Sequence, residues 1–195
     1  MKTNIDIRLS DWAEGERVHS GFKTALDEIW GKLGPEIEKL ETQGLKIWLT
    51  GHSLGAALAT LAADRLQDVQ GLYTFGSPRV GDKGFQAHFQ VPAFRVVNGK
   101  DIVETVPGKD PFRHIGERVW IVSDGRLQYR NGHGGDATET ACREDSNSSG
   151  DTVKGLQIDS GLLIPHAFRD HNPMLYSIFL WNALVESMDT NGEKW

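Results

Sequence analysis

The amino-acid sequence predicts a single α/β domain, over residues 1–195, in which a mainly parallel sheet has helices on both faces. Apolar runs of strand length alternate with segments whose apolar residues recur at helical spacing, as in parallel sheets with crossover helices. The chain has 195 residues, 38% hydrophobic and 25% charged, which suits one domain with a sizeable core. No internal repeat divides it into smaller units.

The predicted helices and strands follow from these patterns in chain order. Apolar residues at helical spacing over 22–40 predict an amphipathic helix that is bent or interrupted at Gly34 and Pro35. An Ala- and Leu-rich helix is predicted for 54–66, and a last helix within 169–188. The strand candidates are four apolar runs, at 45–50, 71–76, 93–98 and 118–123.

Charge and composition disfavour several classes of function. The net charge is −6 and the basic residues form no stripe, so nucleic-acid binding is disfavoured and an anionic membrane surface would repel the protein. No apolar run reaches the ~18 residues of a membrane span. Cys142, the single cysteine, excludes an internal disulfide and a cysteine metal cluster. It lies in the polar segment 124–151, where the acidic residues and His133 match no zinc or calcium pattern and indicate a solvated loop.

The stretch IWLTGHSLGAALAT, residues 47–60, contains the candidate nucleophile. Gly-x-Ser-x-Gly alone is a weak signal, but here a strand precedes it and a helix follows, as for a serine on a sharp strand-to-helix turn. The flanking glycines leave room for the helix to approach the strand. Ser53 is therefore the predicted nucleophile. The N–H of Leu54, at the start of the helix, is the predicted oxyanion donor. His52 is expected to point away from Ser53 and is interpreted as structural.

A serine nucleophile needs a base and an orienting carboxylate, and in this type of fold the acid precedes the histidine in the chain. Asp101 is the preferred acid because it follows the strand FRVVN in the turn that leaves the sheet edge. Asp82, Asp110 and Asp124 are the alternatives. For Asp82, in the turn PRVGD, capping of a loop is the simpler interpretation.

Five histidines follow the serine and are candidates for the base: His88, His114, His133, His166 and His171. Only the last three follow the final predicted strand. His171 is preferred because it lies just before the last helix, where a loop can bring it over Ser53. His166, five residues earlier, is the main alternative.

Four stretches carry information beyond these spacings: VHSGFKTALDEIW (18–30), LTGHSLGAALATLAA (49–63), YTFGSPRVGD (73–82) and FRVVNGKDIVETVP (94–107). In these stretches and their order, the chain resembles the class 3 lipases, the fungal-type triacylglycerol lipase family. A C-terminal stretch, DHNPMLY (170–176), is similar in a less distinctive way.

The resemblance implies an α/β-hydrolase fold and a Ser53, Asp101, His171 triad that hydrolyses carboxylic esters of lipids through an acyl-enzyme. No metal or organic cofactor is implied. The expected partner is a lipid or other ester substrate, met at a lipid–water interface. The alternatives are a short-chain or feruloyl-type esterase and a non-catalytic, lipase-like fragment or binding module.

Two departures from the family pattern are visible. Glu104 stands where the family often has proline near the acid. The second departure is at the N-terminus, where a strand ending in Phe-Arg-Gly-Thr or -Ser, which supplies the second oxyanion donor, is absent. We therefore expect a shortened domain in which 45–50 has an unpaired edge, open to homo-oligomer formation. The segment 4–12, with alternating apolar residues, is interpreted as a substitute strand or a lid remnant. With no signal peptide visible, an intracellular location is favoured unless the N-terminus is truncated.

Overall fold

The computed structural model of the protein describes residues 8–66, 68–122, 126–129 and 168–191. These residues form a five-stranded sheet, a separate two-stranded sheet, four α-helices and a short 3-10 helix, Ile102–Thr105. The strands are β1 (Leu9–Asp11), β2 (Arg17–His19), β3 (Ile47–His52), β4 (Val69–Phe75), β5 (Ala93–Asn98), β6 (Glu117–Ile121) and β7 (Leu127–Tyr129). The helices are α1 (Ser20–Thr42), α2 (Leu54–Arg65), α3 (Lys83–His88) and α4 (Pro173–Asn191).

The large sheet has the strand order β3-β4-β5-β6-β7. Its first four strands are parallel, and β7 pairs antiparallel with β6. The prediction of a mainly parallel sheet is therefore confirmed. Because β3, β4 and β5 run in the same direction, the turns that follow them all open at one edge of the sheet.

On one face of the sheet, α2 packs against β3 and β4, and α1 packs against α2. The alanines of α2 are buried, and their small side chains allow the helix to approach the sheet closely. Leu26 of α1 and Leu61 of α2 are at most 1% exposed and share a core cluster with Val18 and Phe85. Each buried leucine contributes about 2 kcal/mol to stability.

The opposite face is covered by α4. Tyr176, Phe179 and Leu180 of this helix pack against side chains of β4, β5, β6 and β7. In β5, Val96 faces this cluster, whereas Ala93 belongs to the cores on the other face, as the two-residue period of a strand requires. Helices therefore cover both faces, as predicted.

The structure corrects several details of the predicted elements. α1 runs uninterrupted through Pro35, because the helix is buried at Leu26 before this residue and at Ile37 after it. β3 begins two residues later than predicted, at Ile47, and β4 two residues earlier, at Val69. The elements missing from the prediction are short: β2, β7, α3 and the 3-10 helix.

β3 lies at the end of the large sheet, with β4 as its one partner among the described residues. The segment 4–12 was a candidate to pair with this edge of β3, but its described part, residues 8–12, does not. Leu9–Asp11 pairs with β2 in the small sheet instead. Trp48 of β3 is 57% exposed and stacks on Tyr73 of β4.

The described helices include none that is long and apolar enough to cross a membrane. The described residues also include no group of three or more His, Cys, Asp or Glu side chains that could hold a metal ion. Cys142 and His133 lie outside the described residues.

Candidate active site

Ser53 occupies the turn between β3 and α2. Its φ of 56° is the one positive φ of a non-glycine residue in the described part of the chain. Such a conformation is strained and points the side chain out of the turn, as a nucleophile requires. The Ser53 N–H donates to the carbonyl of Phe75 at the end of β4, 3.0 Å away, which ties the turn to the sheet. A Cβ built on Gly51 would lie too close to the carbonyl oxygen of Gly55, so a side chain at position 51 would not fit.

His171 lies in the turn that leads into α4 and contacts both other candidate residues. Its Nε2 is 2.8 Å from Ser53 Oγ. Its Nδ1 is 2.9 and 3.0 Å from the two carboxylate oxygens of Asp101. The tautomer that satisfies both contacts has Nδ1–H donating to Asp101, so that Nε2 accepts from the serine hydroxyl. The structure thus brings together the serine, the histidine and the aspartate predicted from the sequence.

Asp101 follows β5 and is 2% exposed. Its Oδ1 accepts the Val103 N–H at 2.9 Å, which caps the 3-10 helix. Its Oδ2 accepts the Tyr176 hydroxyl at 2.5 Å. Burial alone would raise the pKa of the Asp101 carboxyl, but the hydrogen bonds from His171, Tyr176 and Val103 outweigh burial and lower this pKa. Asp101 is therefore a carboxylate at neutral pH and can orient the histidine.

Tyr176 of α4 is a site residue that the sequence reasoning missed. Its hydroxyl donates to Asp101 and accepts the N–H of Asn98 at 3.1 Å. Burial, followed by the bond to Asp101, raises the pKa of Tyr176, so the hydroxyl keeps its proton. Helical periodicity marks Tyr176 only as a core residue. Its polar tip is the available signal, since a buried tyrosine hydroxyl usually has a partner.

His52, adjacent to Ser53 in sequence, contacts the base from the other side. Its Nε2–H donates to the backbone carbonyl of His171 at 2.9 Å, and the two imidazole rings are 4.5 Å apart. Burial first, and then the neighbouring His171, lowers the pKa of His52, which favours a neutral ring at pH 7. These contacts agree with the interpretation of His52 as a structural residue, whereas its orientation away from Ser53 stays a prediction.

The alternative acids and bases lie elsewhere or outside the described residues. Asp82 accepts the N–H of Phe85 at 3.1 Å and caps α3, and it pairs with Arg17. The Asp110 side chain is 88% exposed and pairs with Arg113. The alternative histidines in the described chain are bound elsewhere, His88 to Glu16 and His114 to the carbonyl of Glu104. Asp124 and His166 lie outside the described residues, as does His133.

Glu104 supports the segment that carries the acid. Its carboxylate accepts hydrogen bonds from Arg95 at 2.8 Å and from Arg118 at 3.0 Å. Glu104 belongs to the 3-10 helix that Asp101 caps, so the two arginines fix this helix to β5 and β6. Glu104, which stands where the family often has proline, thus adds an ionic contact to the segment that directly follows Asp101. The sequence feature that could have indicated this contact is Arg95, a charged residue within the largely buried strand β5.

The N-terminus of α2 lies directly beside Ser53. Leu54 is the first residue of α2, and the first N–H groups of a helix have no partner within it. The Leu54 N–H and the positive end of the helix dipole therefore face the position where negative charge would develop on a substrate attacked by Ser53.

Comparison with known proteins places this geometry in a family. The family model for lipase (class 3) matches residues 2–110, more than half of the chain. A lipase from Rhizomucor miehei is 36% identical over 124 residues, which are 56% of this chain and 34% of the relative. A secreted mono- and diacylglycerol lipase from Malassezia restricta is 31% identical over 163 residues. The chain spans 54% of that relative's length, and the match covers 77% of this chain.

Solved structures support the same assignment. Lipase II from Rhizopus niveus has a TM-score of 0.57 and 33% identity to this chain. The similarity covers 62% of this chain and 52% of the solved one. The predicted α/β-hydrolase fold is thereby confirmed. The chain belongs to the class 3 lipase family.

Proposed function

We propose that the protein is a serine hydrolase that cleaves carboxylic esters of lipids through an acyl-enzyme on Ser53. The observation that carries the proposal is the chain of short contacts from Ser53 Oγ to His171 Nε2, 2.8 Å, and from His171 Nδ1 to Asp101, 2.9 Å. A serine hydroxyl becomes a useful nucleophile when a base with an oriented, charge-stabilised ring takes its proton.

In the proposed reaction, His171 Nε2 takes the proton of Ser53 as Oγ attacks the ester carbonyl carbon. The oxygen of the tetrahedral intermediate carries the negative charge, towards the Leu54 N–H. His171 then gives its proton to the leaving alkoxide, and the acyl group remains on Ser53. His171 then takes a proton from water as the water oxygen attacks the acyl carbonyl carbon, and it returns this proton to Ser53 Oγ as the carboxylic acid leaves. Asp101 stays ionised throughout and stabilises the imidazolium.

Exposed apolar side chains close to the triad in sequence support lipid esters as the substrate class. Each lies within five residues of a triad member along the chain, and each is at least 42% exposed: Leu54, Val106, Phe168 and Met174. Exposed apolar side chains near a reactive serine favour contact with a lipid–water interface. The Malassezia restricta relative is called a mono- and diacylglycerol lipase, and we extend that substrate class to this chain as part of the proposal.

Labelling with a fluorophosphonate probe tests the reaction directly. We expect one covalent adduct by intact mass, located on Ser53, and no adduct on Ser53→Ala or His171→Ala. A folded wild-type protein that takes no label would contradict the proposal and favour the non-catalytic alternative. A series of nitrophenyl esters then tests the substrate class. Preference for short acyl chains, without activation by an interface, would favour an esterase over a lipase.

We also propose that two copies associate through the edge of β3. In the described chain this strand has a partner on one side only, and unpaired edges favour pairing with another strand. Light scattering of the purified protein tests this, with Trp48→Lys as the disrupting variant because lysine at an edge opposes pairing. A wild-type monomer at high concentration would exclude this association.

A further inference from the structure

The proposed base, His171, lies in a short turn whose internal hydrogen bonds are weak. Within this turn, the N–H of His171 reaches the carbonyl of Phe168 at 3.2 Å, and the N–H of Asn172 reaches that of Arg169 at 3.3 Å. Both bonds are long. The His171 ring, however, must meet Ser53 and Asp101 at the same time. The precision of the site therefore depends on contacts that fix the turn from outside.

Asp170 supplies two such contacts. Its carboxylate Oδ2 accepts the N–H of Lys100 at 2.8 Å. Its backbone carbonyl accepts the side-chain Nδ2–H of Asn98 at 3.0 Å. Asn98 is the last residue of β5 and is 5% exposed, so it is itself a rigid support. Both donors precede Asp101 by at most three residues. The turn that carries the histidine is thus fastened to the turn that carries the acid.

The backbone at Gly99 is shaped to receive the Asp170 carboxylate. Gly99 has a φ of +49°, in the left-handed region that favours glycine. A Cβ built on Gly99 would lie 2.7 Å from Asp170 Oδ2, closer than real side chains approach. The space beside this glycine is therefore occupied by the carboxylate. This is a second observation that the two turns fit together, independent of the hydrogen bonds.

We propose that Asp170 is a positioning residue that locks the turn of His171 onto the Asn98–Lys100 turn, so that His171 contacts Ser53 and Asp101 together. This inference rests on the proposed function and assigns a role to a residue outside the triad. Its physical basis is geometric, since a displacement of about 1 Å in a catalytic group can cost about 100-fold in rate.

An alternative explanation is that Asp170 acts on His171, its neighbour in sequence, through its negative charge. The two explanations separate in the variants Asp170→Ala and Asp170→Asn. Asparagine keeps an oxygen that accepts the Lys100 N–H but removes the charge, whereas alanine removes both. Positioning predicts rescue by asparagine, and a charge effect predicts none.

The experiment measures the rate of fluorophosphonate labelling, together with kcat and KM on a nitrophenyl ester. We expect Asp170→Ala to lower the labelling rate and kcat about 10- to 100-fold with KM little changed. We expect Asp170→Asn to stay within about threefold of wild type. Asp110→Ala, which removes an exposed carboxylate, is the matched control and should equal wild type. Wild-type rates in Asp170→Ala, or equal losses in both variants, would overturn the proposal.

A spectroscopic readout separates this inference from the proposed function. The Nδ1–H that His171 shares with Asp101 should give a low-field proton NMR resonance whether or not the protein turns over esters. We expect this resonance in wild type and Asp170→Asn, and its broadening or loss in folded Asp170→Ala. A wild-type protein that forms no fluorophosphonate adduct would contradict the proposed function alone. An unchanged resonance in Asp170→Ala would contradict positioning alone.

Discussion

Tyr176 joins three parts of the site through one hydroxyl group. Its proton goes to Asp101 Oδ2, and its oxygen accepts the N–H of Asn98 at the end of β5. Tyr176 is 2% exposed, so water cannot readily replace either contact. At the scale of single residues, this hydroxyl therefore links the acid directly to the end of β5.

We predict that Tyr176→Phe destabilises the fold by about 1.5–3 kcal/mol, because it removes a buried hydrogen bond to a charged group and leaves the Asn98 N–H without its acceptor. It should also raise the pKa of Asp101. A carboxyl with a depressed pKa stabilises the fold above its usual value of 3.8, and this stabilisation is lost as pH falls through the lower folded value. In the variant the folded and unfolded pKa values lie closer together, so the loss should be smaller and should be complete at a higher pH.

Urea unfolding at pH 7 and along an acid series measures both effects. Tyr73→Phe is the control, because it removes the same hydroxyl group from a tyrosine that is 39% exposed and lies away from the site. It should cost less than about 0.5 kcal/mol. Equal stabilities for the two variants would show that the Tyr176 hydroxyl is not coupled to the acid.

At the scale of elements, the 3-10 helix after Asp101 is fixed by buried charge. Arg95 has a side chain only 8% exposed, and it shares Glu104, which is 16% exposed, with Arg118. Removing one partner of a buried ion pair leaves the other charge uncompensated. The 3-10 helix that follows Asp101 is therefore stabilised by a contact whose loss lowers the stability of the fold.

We predict that Glu104→Gln destabilises the fold by roughly 3 kcal/mol and slows labelling of Ser53 as the 3-10 helix shifts. The value is at the lower end of the usual range because Arg118 is still 31% exposed. Glu36→Gln is the matched control. Its pair with Lys39 lies on the surface of α1, with both side chains more than 60% exposed, and its loss should cost less than about 1 kcal/mol. Similar urea midpoints for the two variants would contradict this prediction.

The sequence predicts those elements best whose pattern and tertiary environment agree. β5 has the predicted bounds, 93–98, because a run of apolar and β-branched residues ends in Asn and Gly, the residues that leave the sheet. β2 and β7 have three residues each, too few for a period, and were missed. Asp82 was recognised as a capping residue, although the six-residue helix that it caps was not predicted.

The candidate site was predictable to the extent that it depends on chain order. Ser53 and Asp101 follow strands that end at one sheet edge, and His171 was preferred for its position before the last helix, in agreement with the family resemblance. The supporting residues Tyr176, Asn98 and Asp170 were not predictable. Their roles arise from contacts between residues 70 or more positions apart, which no local pattern contains.

At the scale of the whole molecule, helices pack on both faces of the large sheet, and the polar network of the site lies along the edge where β3 and β5 end. His114 lies buried beside this network. It is 9% exposed, and its Nε2–H donates to the carbonyl of Glu104. Burial first, and then the charges of Arg95, Arg79 and Arg118, lowers the pKa of His114 well below 6.5. The folded protein thus holds this histidine neutral.

We predict that the protein loses stability as pH falls below about 6.5. In this range the unfolded chain binds a proton at His114 and the native state does not, so unfolding is favoured by up to about 1.4 kcal/mol per pH unit for one proton. Urea unfolding from pH 8 to pH 5 measures the slope. His114→Gln removes the titrating ring, keeps an N–H donor for the Glu104 carbonyl, and should reduce the slope. Above pH 7 neither state takes up a proton at this ring, which supplies an internal control. A slope unchanged by His114→Gln would mean that other groups, such as His52, set the acid limit of the fold.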